Sequence, residues 1–338
     1  MSLCKNRIPW IDIARAIGIS LVVFSHVTGG LVSAGIVDHD GLLFSSAYAL
    51  YTFFMPLFFL LSGMNVDRSL SKGKKRFLQN KLWTIAYPYI LWSLIIGSIQ
   101  IAFASYTNHP LAPRDLLTIL WSPIDQFWFL YALFFCHLLV MVFSTRLKVL
   151  APIAILALVL HTLSIPAQTV LVRVEYMIPF YVLGIFLGKR ESGLSIKPSL
   201  LPYVIAVLGI AYSLGVYWGR AASHETAYSL ASMPACFTGI LLVIAISQSI
   251  ERISATGTRL LVWIGAASMT IYILHVLIAA GIRIALAHLG LKNIPAFVTI
   301  GTLSGIFLSM LIHDLLGRYN LLAPLGLAPL RALSRSTS

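Results

Sequence analysis

Residues 11–31 read IDIARAIGISLVVFSHVTGGL. A helix that crosses a bilayer needs about 20 mostly apolar residues, and this run supplies them. It also carries Asp12, Arg15 and His26, groups that are costly in hydrocarbon and therefore point to function. Further apolar runs follow at 45–64, 83–105, 126–144, 149–165, 171–188, 200–218, 229–249, 260–288 and 296–316. Period-two alternation is absent, so barrel strands are excluded. Helices then remain as the way to satisfy the backbone in lipid. The sequence predicts an all-α, polytopic transmembrane bundle of about ten spans. The fifth run is short and the ninth long, so tilt or a break is expected there.

Composition agrees. Hydrophobic residues make up 59% of the 338 and charged residues 10%, with a mean hydropathy of +0.89. A soluble domain carries about 25% charged residues, and so few charges cannot cover a water-facing surface. No hydrophilic stretch is long enough to build a second domain. The chain therefore reads as a single membrane domain over 1–338, with 319–338 as a loose cytoplasmic tail. If the N-terminus is inside, 18 of the 24 Lys and Arg fall on inner segments and 4 on outer ones. That asymmetry predicts cytoplasmic N- and C-termini in the plasma (inner) membrane, and it accounts for the net charge of +13. No basic patch carries interleaved aromatics, so no nucleic acid is expected. Cys4, Cys136 and Cys236 form neither a disulfide framework nor a zinc pattern and read as small apolar fillers. The first run has no small-residue cleavage site, so it reads as a retained span rather than a signal peptide.

Arg15 and His26 are eleven residues apart, about 20° from three full turns, and so share a face about 16 Å apart along the axis. Asp12 lies three residues before Arg15, where the two can pair. Such a stripe, running from the inner mouth to a deep imidazole, fits the wall of a channel or tunnel. Its bland reading is an ion pair at a helix start plus a packing histidine. Histidines also occur at positions 137, 161, 224, 275, 288 and 313. None joins a second histidine and a carboxylate at metal-ligand spacing, so no metal is expected.

Several blocks carry a resemblance. WIDIARAIGISLVVFSHV (10–27) resembles the opening of the acyltransferase-3 family of integral membrane O-acyltransferases, marked by an Arg, ten residues and a His, here Arg15 and His26. FFMPLFFLLSGM (53–64), KLWTIAYPYILW (81–92), FWFLYAL (127–133) and SMTIYILH (268–275) are similar to later family elements and stand in family order. Fucose 4-O-acetylase-like members resemble the chain most. The Arg-x-x-Arg that family members often keep after the Ser-Gly is altered here: Arg68 is followed by Ser69, Leu70, Ser71 and Lys72.

The resemblance implies transfer of an acyl group, usually acetyl, from acetyl-CoA to a hydroxyl of a cell-surface or lipid-linked carbohydrate. A sugar hydroxyl needs a base in hydrogen-bond reach. His26 is the candidate because an imidazole titrates near working pH, with Arg15 and Asp12 completing the catalytic set. Direct attack then needs no metal and no covalent intermediate. Ser62, Tyr272 or His275 could serve the oxyanion. The basic cluster Arg68, Lys74, Lys75, Arg76 and Lys81 is a candidate clamp for the phosphates of acetyl-CoA. Its bland reading is topogenic, or a site for anionic membrane lipids. Trp128 is an aromatic-belt residue that could stack on a sugar. Arg283 either snorkels or meets an acidic acceptor, and Arg173 and Glu175 can pair. The rival function class is a transporter or flippase for a sugar or lipid-linked oligosaccharide, which inverted repeats would mark; none is visible.

Overall fold

A computed structural model describes residues 8–38, 41–106, 110–164, 170–189, 194–223 and 227–328. Cys4, Lys5, Arg7, Arg190, His224, Arg331 and Arg335 lie outside them. The described residues form helices and no strands. In chain order the helices are α1 (Pro9–Ser33), α2 (Leu42–Tyr51), α3 (Phe54–Gly63), α4 (Val66–Leu70), α5 (Lys74–Lys81) and α6 (Tyr87–Ala102). They continue with α7 (Trp128–Phe143), α8 (Leu147–Ser164), α9 (Val170–Gly188), α10 (Leu201–Ser223), α11 (Met233–Ile253), α12 (Ala255–Ala266), α13 (Ser268–His288) and α14 (Ile294–Arg318).

Eight of these segments are long and apolar enough to cross a membrane by length and composition, and Leu147–Leu163 is a shorter apolar helix. With the 19-residue α9, every one of the ten expected runs is met by helix. Three runs are not single α-helices. The second breaks between α2 and α3, because Pro56 has no N–H to donate to the Thr52 carbonyl. The third begins with a π-helical segment, Leu82–Ala86, just before Pro88, whose ring disfavours a regular turn there. The ninth breaks at Ala267, between α12 and α13, where a tilt or break was the expectation from its length.

Packing radiates from α1, which touches α2, α3, α11, α12, α13 and α14. Lipid offers no hydrophobic drive between helices, so close approach depends on small residues. A Cβ on Gly265 of α12 would lie 2.1 Å from the Asp12 carbonyl oxygen of α1. The α3–α9 seam is as tight. A Cβ on Gly63 would lie 2.2 Å from the Tyr181 oxygen, and one on Gly184 would lie 2.1 Å from the Leu60 oxygen. At the periphery, α10 turns Tyr203, Val207, Ile210, Leu214 and Tyr217 outward, an apolar face suited to hydrocarbon. Residues 319–328 are not a loose tail. Tyr87 donates to the Pro324 carbonyl and Trp92 to the Leu325 carbonyl, while Ala323 and Leu327 are buried.

Candidate active site

The last turns of α1 line a cavity of about 980 Å³. Its wall takes His26 and Ser33 from α1, Gln100 from α6, Asp125, Gln126 and Trp128 from the entry to α7, Arg173 from α9 and Arg283 from α13. These positions lie at helix ends remote from Lys74–Lys81, so the cavity occupies the end of the bundle opposite the basic loop. Of the residues singled out in the sequence, His26, Trp128, Arg173 and Arg283 line it.

His26 is half-buried and is braced from α13. The ring of His275 meets it at 69°, with centroids 5.0 Å apart. His275 is fully buried. Its Nδ1–H donates to the Ile271 carbonyl one turn back, at 2.9 Å, which assigns the lone pair to Nε2. That Nε2 has no hydrogen-bond partner. Tyr272, on the same face of α13, packs against His275 at 6.5 Å and Phe129 at 5.4 Å. Its hydroxyl donates to the Gln126 carbonyl at 2.5 Å. The α13 face thus fixes both the imidazole of α1 and the backbone that opens α7. Neither Tyr272 nor the Nδ1–H of His275 offers an uncommitted proton to an oxyanion, and Ser62 lies outside the cavity lining.

The remaining sequence candidates sit at the opposite end. Arg15 donates to Asp12 at 3.0 Å; Asp12 is buried and Arg15 half-buried. Lys81 is also half-buried, with its ammonium 5.4 Å from the Phe77 ring centroid and near enough to Arg15 for their charges to repel. Arg68, Lys74, Lys75 and Arg76 are exposed. The face of α1 between Arg15 and His26 is filled: Ile19 and Val22 are buried, and the Phe58 ring covers Gly18. The cavity therefore reaches His26 and not Arg15, and the stripe is not an open tunnel.

Two cavity residues escaped sequence reasoning. Asp125 is placed by a positive φ of 42°. It accepts from Gln100 at 2.6 Å and lines the same cavity as His26. Gln126 is buried, with both side-chain amide atoms unpartnered. The signal was a polar pair, Asp-Gln, directly before a span. Arg173 does not pair with Glu175; it lies 5.1 Å over the Trp128 ring. Among the described residues no group of three His, Cys, Asp or Glu is placed to hold a metal ion.

Comparison with protein families matches residues 8–314 to acyltransferase-3, described as an acyltransferase domain. Among curated proteins, the chain is similar to nodulation protein NolL of Mesorhizobium japonicum, 26% identical over 198 residues, or 56% of this chain and 50% of that protein. The chain thus spans about half the length of the curated relative it matches. No solved structure matches.

Proposed function

Since the chain belongs to the acyltransferase-3 family, we propose that it is a membrane O-acetyltransferase, carrying acetyl from acetyl-CoA to a hydroxyl of a cell-surface or lipid-linked carbohydrate. The observation that carries this reading is His26: an imidazole at the wall of a 980 Å³ cavity, held edge-to-face by a second, buried histidine. A hydroxyl is a poor nucleophile until a base in reach takes its proton.

In this mechanism His26 accepts the hydroxyl proton as the oxygen attacks the thioester carbonyl. The new C–O ester bond forms, the C–S bond breaks, and the imidazolium returns the proton to the leaving thiolate. One thioester is consumed, one ester is made, and the protein ends unchanged. Asp125 lines the same cavity, and a carboxylate fixed there would stabilise the positive charge that forms on the imidazole. His275 holds the imidazole in place.

The donor's phosphates need cations. Arg15, Lys81 and the exposed Arg68, Lys74, Lys75 and Arg76 supply them at the other end, and Asp12 fixes the Arg15 rotamer. The positive-inside asymmetry supports a cytoplasmic position for these cations in the plasma membrane. The donor then enters from the cytoplasm and the acceptor from the cavity side, and the thioester reaches His26 only once the Phe58 ring moves off Gly18.

The test is to feed radiolabelled acetyl-CoA to membranes with and without the protein. The expected result is protein-dependent label in glycan or glycolipid that mild alkali releases as acetate, the mark of an ester. Absence of such label, or label only in alkali-stable form, contradicts the proposal.

A further inference from the structure

Gln126 is 2% exposed, borders the cavity, and neither its Nε2 nor its Oε1 has a hydrogen-bond partner. Leaving a buried polar atom unpaired costs about 1–3 kcal/mol, so an amide unpaired at both ends needs a reason. Its backbone is not free to drift, because the Tyr272 hydroxyl holds its carbonyl at 2.5 Å, and Tyr272 in turn packs against His275. The unsatisfied amide is therefore fixed to the framework that fixes His26. The terminal torsion of glutamine is soft, and the residue already borders the cavity.

The chemistry of the amide selects its ligand. A thioester carbonyl only accepts, and would leave Oε1 unpaired; an amide of the donor's pantetheine arm would pair both atoms, and the KM for acetyl-CoA measured below separates that case. A hydroxyl both donates and accepts, so neighbouring hydroxyls of a sugar satisfy Oε1 and Nε2 together. Trp128, two residues on, lines the same wall, with Arg173 over its ring.

We propose that Gln126 is the acceptor-reading residue of the cavity: it hydrogen-bonds a hydroxyl adjacent to the one that His26 deprotonates, and so sets which position on the sugar is acetylated. This rests on the acetyltransferase reading above. A site built to pair a hydroxyl rejects an analogue that lacks it strongly, because its own polar groups are then stranded.

The test uses purified protein, radiolabelled acetyl-CoA, and a panel of methyl hexosides with their monodeoxy analogues. Wild type is expected to disfavour one monodeoxy analogue at least about tenfold in kcat/KM. Gln126→Leu is expected to erase that discrimination while leaving the KM for acetyl-CoA unchanged. Gln126→Met, of similar length, serves if the leucine variant does not fold. Discrimination that survives in the folded variant overturns the inference. So does a wild type that acetylates no hexoside. Label in the membrane glycan fraction, measured in parallel, then shows whether the acetyltransferase reading stands without it.

Discussion

The His275 ring contacts the His26 ring edge-to-face at a centroid distance of 5.0 Å, and His275 is itself anchored to the Ile271 carbonyl. The contact joins α13 to α1 at the cavity wall and gives His275 a positioning role. Displacing a catalytic group by about 1 Å can cost about 10²-fold in rate. His275→Ala is therefore expected to lower kcat by up to about that factor with the KM for acetyl-CoA unchanged. His275→Phe, which keeps a ring against His26, is expected to recover most of the loss. Equal loss in both variants would show that the imidazole nitrogen matters, not the packing.

The α3–α9 seam has no room for a side chain. With a Cβ on Gly184 only 2.1 Å from the Leu60 oxygen, Gly184→Ala must push two helix backbones apart. Overpacking of this kind costs about 1–3 kcal/mol or more. A fall in the unfolding temperature of the detergent-solubilised protein is the expected reading. Gly209→Ala, where a Cβ meets nothing within 4 Å, is the matched control and is expected to unfold like wild type.

Arg15 and Asp12 form a partly buried ion pair at 3.0 Å. If Asp12 only orients Arg15 toward the donor, Arg15→Gln raises the KM for acetyl-CoA, Asp12→Asn raises it less, and the double variant resembles Arg15→Gln. Steady-state kinetics at equal protein level checks this. Additive losses would mean that the two residues act separately.

Orientation is tested by labelling. Lys75 and Trp121 are both exposed and lie toward opposite ends of the bundle. In intact cells a membrane-impermeant maleimide is expected to modify Trp121→Cys and to spare Lys75→Cys until the membrane is opened. Native Cys136 and Cys236 are buried, and both variants carry Cys4→Ser. The reverse pattern would invert the assigned topology.

The fold was legible because lipid imposes simple rules. Apolar runs of about 20 residues must be helices, and each run found one. The breaks at Thr52 and Phe53, and the π-helical turn before Pro88, follow from prolines already visible in the sequence. The site was legible in part. The Arg15–His26 spacing marked α1, and Tyr272 and His275 share a face because they stand three residues apart. The plug between Arg15 and His26 was not visible, because helical phase says which residues share a face and not what covers it; Phe58 comes from α3. Asp125 and Gln126 were missed for a related reason. They sit on a short turn, Asp125–Phe127, where periodicity carries no signal, and their meaning comes from the partners they have or lack in three dimensions.

The central claim is that His26 is the base. The most direct measurement compares acetyl transfer from labelled acetyl-CoA by wild type and His26→Gln at equal membrane abundance and equal unfolding temperature. The account predicts a loss of at least about 10²-fold in kcat, the usual contribution of a general base, with the KM for acetyl-CoA unchanged. A His26→Gln protein that transfers acetyl at the wild-type rate would contradict it.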